Sequence, residues 1–311
     1  MDPFQPHHFS PRLHDLLKNT DLQQLSRLPS PRLATTALPN IGLIELVSPQ
    51  AFEKDYQPLY TTFFHGQERE NPSLITARLA ADFAGQRSGL APYRVLGLRD
   101  NAGEAIGAAQ FSVLFLPATG TGAKYAVPYL QYIYVRPQNR RQDLSEVLHT
   151  LVLAVATADA EALGGGRTVP FTLFESEPTG YGTTEASKGT ATERAEIHAR
   201  SGSRALMLRG QDGRVCSAHV QPGLEVGEGP LTLIWAIRPS PAMLEEGWDV
   251  AECGKALVEG YYRSLRDEGF PEENIAVAEG IVGARMRGRE FFGMALANVT
   301  VDMYKADIEE M

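Results

Sequence analysis

The chain has 311 residues, of which 29 are Lys or Arg and 38 are Asp or Glu, so its formal charge at pH 7 is −9. Hydrophobic residues make up 43% and charged residues 22% of the chain, which is enough for a sizeable core and excludes a wholly disordered protein. An acidic chain without a run of Lys or Arg is a poor candidate for a nucleic-acid-binding protein.

Signals for secretion, membranes and metals are weak in this sequence. Cys216 and Cys253 are too few for a disulfide framework and are typical of thiols in a reducing cytosol, and no Cys/His cluster has zinc-ligand spacing. The N-terminus lacks the basic and apolar segments of a signal peptide, and the most apolar stretch, 147–163, is too short and too polar to span a bilayer. We expect a cytoplasmic protein with no membrane partner and no metal.

The first 40 residues contain six of the 20 prolines and predict an arm with one helix. Ser10 is a plausible N-cap, and Pro11 suits the first helical position. We interpret this arm as a packing extension rather than a chemical element.

From Ile41 the pattern predicts a strand at 41–48, helices at 49–64 and 72–87, and strands at 93–98, 105–116 and 125–135. A turn at 100–103 joins the strands at 93–98 and 105–116.

The strongest periodic signal is a set of apolar residues spaced four and three apart, namely Leu144, Leu148, Leu151, Val155, Ala158 and Ala162. This spacing predicts one helix, which the glycines at 164–166 end. A strand at 169–174 follows, so the strand–helix–strand order predicts a parallel pair with a right-handed crossover. Further on, the sequence predicts a loop at 178–189 and a short helix at 190–200 with a capping box at Thr190. It then predicts strands near 215 and at 231–237, a long helix at 241–267, and an ambiguous tail with a strand at 295–301.

The segment from Val135 to Ser145 reads VRPQNRRQDLS and lies between the strand at 125–135 and the long helix. It resembles the motif of the GCN5-related N-acetyltransferase (GNAT) superfamily, in which a strand ending V-x-P precedes R/Q-x-x-G-x-G/A and a long helix. The resemblance implies an α/β protein with a mixed central sheet that splays at the parallel strand pair and is flanked by helices. It also implies three regions: an N-terminal arm with a helix at 1–40, a GNAT-like domain at 41–240, and a C-terminal helical extension and tail at 241–311.

Acetyl-CoA is the co-substrate that the resemblance implies. Backbone N–H groups of the loop and the positive end of the helix dipole would hold its pyrophosphate, and two arginines would add charge. The pantetheine arm would pair with the edge of the strand before the loop. The residues expected to bind the cofactor are Ile133, Val135, Arg140, Arg141, Gln142, Asp143, Leu144 and Ser145.

The sequence departs from the motif at two positions. Asp143 stands at the first glycine, and Ser145 stands at the second position, which is glycine or alanine in the family. A side chain at the first position lies where the backbone should approach the ligand closely. A catalytically inactive acyl-CoA-binding or interaction module with the same fold is therefore the alternative to an enzyme.

The segment at 195–202 resembles a family helix in which a Tyr protonates the departing CoA thiolate, and His198 stands at the position of that Tyr. Histidine can serve as a general acid, although a partly exposed helix histidine without a role is the alternative. The strand before the motif lacks a carboxylate, so Glu175 or Glu177 could act as the base, and we select Glu175. The predicted activity is acetyl transfer to the amine of a small-molecule or protein acceptor, and a homodimer is possible.

Overall fold

Residues 8–87, 89–231, 233–241, 243 and 250–305 are described by a computed structural model of the chain. Contacts divide the chain into two units, the first comprising Met1–Phe115 and Lys124–Thr172 and the second comprising Leu116–Ala123 and Leu173–Met311. The predicted division of the sequence at residues 40 and 240 stays a prediction.

The first unit begins with short helices and then forms an antiparallel sheet. Ser10 is the extended N-cap of the first helix and Pro11 lies in its first turn, as expected. At the hairpin turn, Gly103 has φ 85°, and its N–H donates to the Asp100 carbonyl at 2.9 Å, which is a conformation that glycine adopts without strain. The helices are α1 (Pro11–Leu17), α2 (Leu22–Leu25) and α3 (Ser30–Thr36), and the strands, in their order across the sheet, are β1 (Leu43–Leu46), β2 (Tyr93–Arg99), β3 (Ala105–Phe115) and β4 (Ala126–Val135).

Strand β4 carries a β-bulge and a parallel neighbour. Gln110 of β3 faces Tyr132 whereas Phe111 faces Leu130, so Gln131 is an extra residue in β4. Such a bulge bends a strand and increases its twist. At the start of β4, Tyr125 and Thr168 form a parallel bridge, which makes the sheet mixed.

Helices cover the sheet of the first unit. A helical segment before β2 comprises α4 (Pro49–Ala51), a π-helical turn (Phe52–Tyr56) and α5 (Gln57–Phe63), and α6 (Pro72–Phe83) follows. The π turn precedes Pro58, which lacks the N–H that an α-helix would require there. The core formed with the sheet contains Val47, Phe52, Tyr56, Tyr60, Ile75, Leu79, Tyr93, Val95, Ala108 and Tyr134. The predicted α/β class, with a mixed sheet and flanking helices, is confirmed.

The long helix α7 (Leu144–Leu163) is the predicted amphipathic helix, and it packs against β3 and β4. Helices α1 and α2 pack against α7 in turn. The helix is therefore buried on most of its surface, and it includes the buried polar residues His149 and Asp159. Asp159 accepts a hydrogen bond at 2.9 Å from Arg94, which also binds Asp82. Burial raises the pKa of Asp159, and the nearby Arg94 opposes that shift.

The second unit is built around a central strand, β6 (Arg204–Gly210). The other elements, in chain order, are β5 (Phe171–Ser176), α8 (Glu185–Arg200), β7 (Val215–Ser217), β8 (Ile234–Pro239), α9 (Val250–Asp267), α10 (Glu272–Met286), β9 (Arg289–Ala295) and α11 (Asp302–Lys305). Strand β9 pairs antiparallel with β6 over its whole length, from Arg204↔Ala295 to Gly210↔Arg289, whereas β8 and β7 pair with its two ends. Strand β5 begins in the first unit and continues into the second.

Several predictions for the second unit were wrong. The capping box lies at Thr184 and Ser187 rather than at Thr190, so α8 replaces much of the predicted loop at 178–189. Strand β6 was not predicted, and the ambiguous tail contains helix α10 followed by a strand that ends at Ala295. The long helix predicted for 241–267 is seen as α9, and positions 242 and 244–249 lie outside the described residues. In the described part of the chain, no helix combines the length and apolarity that a bilayer crossing requires.

Candidate functional site

The loop between β4 and α7 begins with a short 3₁₀ turn, Pro137–Asn139. The Asn139 N–H donates to the Arg136 carbonyl at 2.8 Å, and the Arg136 guanidinium donates to Asn139 Oδ1 at 2.8 Å. The same guanidinium donates to Asp100 Oδ2 at 3.0 Å, so the exit of β4 is tied to the β2–β3 turn. These bonds fix the direction in which the chain enters the motif.

Two residues of the loop have a left-handed backbone. Arg141 has φ 63° and Asp143 has φ 55°, and they are the non-glycine residues with positive φ in the described part of the chain. Asp143 is also the residue at the first glycine of the motif. The backbone therefore keeps a conformation that favours glycine, at a position where Asp is among the better-tolerated alternatives.

The backbone N–H groups from Arg141 to Ser145 have no hydrogen-bond partner within the described residues. The first donors of α7 are the N–H groups of Glu146 and Val147, which lie 3.0 and 3.3 Å from the Asp143 carbonyl oxygen. Free N–H groups at the positive end of a helix dipole form an anion-binding arrangement. The loop can therefore receive a phosphate or a carboxylate on its backbone.

The Asp143 carboxylate is bound by the N-terminal arm and not by the loop. Arg32 donates two hydrogen bonds of 2.8 Å to its two oxygens, and the Thr36 hydroxyl lies 3.0 Å from Oδ2. Asp143 makes no capping hydrogen bond to α7. The hydrogen bond from Arg32 lowers the pKa of Asp143, so the carboxylate is ionised at neutral pH.

The side chains of the motif differ in what they can offer a ligand. Arg140 is exposed, with its guanidinium carbon 5.3 Å from the centre of the Phe63 ring and its Nε 3.5 Å from the Val135 carbonyl oxygen. Arg141 and Ser145 are also exposed, whereas Leu144 is buried in the core and can offer only its backbone. Ile133, Val135, Gln142 and Asp143 are half-buried. The structure thus gathers the predicted cofactor residues on one strand end and one loop, and their roles stay predictions.

The predicted general acid, His198, belongs to the second unit. It is half-buried on α8, and its ring centre lies 4.6 Å from that of Phe174. Burial lowers the pKa of His198 to about 4, and the positive charges of Arg238 and Arg194 act in the same direction. The imidazole is therefore neutral at pH 7, which weakens the argument for a general acid. Its role stays a prediction.

The predicted base, Glu175, is part of a buried polar cluster in the second unit. Its Oε1 accepts a hydrogen bond of 2.7 Å from the Tyr261 hydroxyl and lies 2.7 Å from His219 Nε2. His219 is fully buried and stacks on Trp235 with a ring-centre distance of 4.6 Å. Burial lowers the pKa of His219, and the adjacent Glu175 opposes this shift. The alternative base, Glu177, accepts a 3.0 Å hydrogen bond from Arg194.

Sequence reasoning missed four of these residues. Arg32 and Thr36 lie in the arm, which was interpreted as packing only, and they are more than 100 positions from Asp143. His219 and Tyr261 carry no motif that marks them as partners of Glu175. In the described part of the chain, no three His, Cys, Asp or Glu side chains come together as metal ligands.

No family model and no curated protein matches this sequence. Among solved structures, it is similar to a GNAT superfamily phosphinothricin acetyltransferase from Sinorhizobium meliloti in complex with AcCoA, with 14% identity, a TM-score of 0.36, and coverage of 63% of this chain and 87% of that chain. It is also similar to NAA60 from Arabidopsis thaliana in complex with acetyl-CoA, with 10% identity, a TM-score of 0.38, and coverage of 62% and 96%.

A third similar structure is Naa20 from Chaetomium thermophilum in complex with a bisubstrate analogue, with 13% identity, a TM-score of 0.37, and coverage of 66% of this chain and 90% of that chain. The S. meliloti enzyme carries the name of the superfamily that the motif from Val135 to Ser145 resembles.

Proposed function

We propose that this chain is an acetyl-CoA-dependent N-acetyltransferase that acetylates the amine of a small-molecule or protein acceptor. The observation that carries the proposal is the loop from Arg140 to Ser145. Its N–H groups from Arg141 to Ser145 are free within the described residues, its backbone at Asp143 is glycine-like, and the Asp143 carboxylate is bound by Arg32. This combination supports a site for a diphosphate.

Several features of the first unit favour acetyl-CoA as the ligand. The N–H groups from Arg141 to Ser145 would bind the diphosphate, and the exposed Arg140 and Arg141 would add charge-assisted hydrogen bonds. The end of β4 at Ile133 and Val135 would hold the pantetheine arm. The bulge at Gln131 precedes this stretch and bends the strand before it.

The reaction requires three proton and bond events. The acceptor amine loses a proton to a base, its lone pair attacks the thioester carbonyl, and the C–S bond breaks as the CoA thiolate takes up a proton. Glu175 is the proposed base and His198 the proposed acid. No covalent intermediate on the protein is needed, so no nucleophilic cysteine is required.

The second candidate function is an acyl-CoA-binding module without catalysis. The observation that favours it is the lowered pKa of His198, about 4, because a neutral imidazole at pH 7 has no imidazolium proton to give to the thiolate. The pairing of Glu175 with Tyr261 and His219 adds to this argument, since that oxygen is already in contact with two polar partners.

Thermal melting and a thiol assay test both functions. A ligand at one hundred times its dissociation constant stabilises a protein by about 2.7 kcal/mol, so saturating acetyl-CoA should raise the melting temperature, and pantetheine, which lacks the diphosphate, is the control. Release of free CoA thiol across a panel of amines would support the enzyme. A thermal shift without thiol release would support the module, and no shift at millimolar acetyl-CoA would exclude both.

The cytoplasmic location and the homodimer remain part of the proposal. Neither nucleic acid nor a membrane is a proposed partner, because the chain is acidic with a formal charge of −9 and has no basic run. The acceptor amine is the remaining partner, and the amine panel identifies its class.

A further inference from the structure

An aspartate at the start of a helix normally caps it. Asp is among the preferred N-cap residues, and a capping Asp has an extended backbone and accepts a hydrogen bond from the second or third N–H of the helix. For α7 these are the N–H groups of Ser145 and Glu146. If Asp143 capped α7, its carboxylate would therefore occupy an N–H group that the diphosphate would otherwise bind.

The structure shows the uncapped alternative. Asp143 has φ 55° and ψ 17°, which is left-handed, and it makes no capping hydrogen bond. Its carboxylate is instead held at both oxygens by the guanidinium of Arg32, with the Thr36 hydroxyl as a third neighbour. A bidentate Arg–carboxylate pair fixes the orientation of both groups and neutralises the negative charge.

The arm contacts the first turn of α7 a second time. The backbone N–H of Arg27 lies 3.4 Å from Glu146 Oε1, so two acidic side chains at the start of α7 are in contact with the arm. An unpaired carboxylate next to the loop would repel a diphosphate. The contacts of the arm direct negative charge away from the free N–H groups.

We propose that Arg32 and Thr36 are positioning residues that keep the anion-binding loop open. They hold the Asp143 carboxylate and thereby stabilise its left-handed backbone, so that a non-glycine residue serves where the superfamily motif has glycine. The inference rests on the proposed function, since it concerns the affinity of the same loop for acetyl-CoA. It assigns to the arm a role in ligand binding, in addition to packing.

The test measures the dissociation constant of acetyl-CoA by calorimetry on the full chain. Arg32→Ala should raise this constant about tenfold, the size expected when a charge near a helix end changes its partner. Thr36→Val, which removes one hydrogen bond, should raise it by a smaller factor. The control is Lys18→Ala, which removes one positive charge from an exposed position of the same arm and should change the constant less than twofold.

The Asp143→Gly background separates positioning from a general effect of charge. Asp143→Gly has no carboxylate for Arg32 to bind, so adding Arg32→Ala to it should change the dissociation constant of acetyl-CoA less than twofold. The melting temperature of Arg32→Ala should stay close to that of the parent, because the pair is at the surface with the Arg32 side chain 55% exposed.

Two results would overturn the inference alone. One is an Arg32→Ala protein that binds acetyl-CoA as tightly as Lys18→Ala does, and the other is a tenfold loss that persists in the Asp143→Gly background. If Arg32→Ala fails to fold, Thr36→Val and Arg32→Lys supply the same comparison. Failure of the unaltered protein to bind acetyl-CoA would refute the proposed function and the inference with it.

Discussion

Arg140→Ala separates ligand binding from folding at the candidate site. In the fold, Arg140 makes a long 3.5 Å contact with the Val135 carbonyl and lies 5.3 Å from the Phe63 ring centre, and its side chain is exposed. An exposed cation–π contact contributes about 0.5–1 kcal/mol, so the free energy of unfolding should fall by no more than that. A hydrogen bond to a charged group contributes about 1.5–3 kcal/mol, which corresponds to a roughly 10- to 150-fold weaker affinity for acetyl-CoA.

Urea unfolding and calorimetric titration with acetyl-CoA measure the two effects on the same protein. Arg214→Ala is the control, because its side chain is 79% exposed in the second unit and its loss removes the same charge. The affinity of the Arg140 variant should also depend less on salt, since one phosphate contact has been removed. A loss of unfolding free energy as large as the loss of binding free energy would refute the reasoning and make Arg140 a structural residue.

Three further predictions concern stability and pH. Gly97→Ala should destabilise the first unit by about 1–3 kcal/mol in urea unfolding, because a Cβ there would overlap the Tyr56 phenol; an unchanged midpoint would contradict this. Tyr261→Phe should cost about 1–3 kcal/mol, because it removes a buried donor to Glu175; no loss would show that this bond contributes nothing. The folded-state pKa of His198, about 4, lies below the ordinary histidine value of 6.5, so the unfolded chain binds the proton more readily. The contribution of His198 to the free energy of unfolding should therefore be complete above pH 6.5 and fall towards pH 4. The fall in stability should be shallower in His198→Gln, and identical pH profiles of the two proteins would refute this.

Local patterns made the first unit predictable. The helix from Leu144 to Leu163 follows from apolar residues spaced three and four apart, and the hairpin follows from the turn at 100–103. The anion-binding loop could also be located, because its position between a strand and a long helix is a local property. What the sequence could not reveal is the conformation of Asp143, since that depends on Arg32, more than 100 positions away.

Local patterns did not make the second unit predictable. Helix α8 has a low apolar content, and its start depends on a capping box in which Ser187, rather than Glu or Gln, occupies the third position. Helix α10 contains Gly280 and Gly283, which lower its intrinsic helix propensity. The buried cluster of Glu175, His219 and Tyr261 joins residues from separate parts of the chain, and only tertiary packing brings them together.

The bulge at Gln131 reverses the face of the sheet on which the later side chains of β4 lie. Side chains alternate between the two faces of a strand, so Leu130 and Tyr132 would share a face in a regular strand. With Gln131 inserted between them, Leu130 is paired with Phe111 and Tyr132 with Gln110, on opposite faces. The rings of Tyr132 and Tyr134 thereby reach the ring of Phe64, the C-cap of α5, with ring centres 4.8 and 5.9 Å away. If Gln131 were instead paired regularly with β3, every later residue of β4 would move by one position along β3, and both tyrosines would turn to the opposite face, away from Phe64.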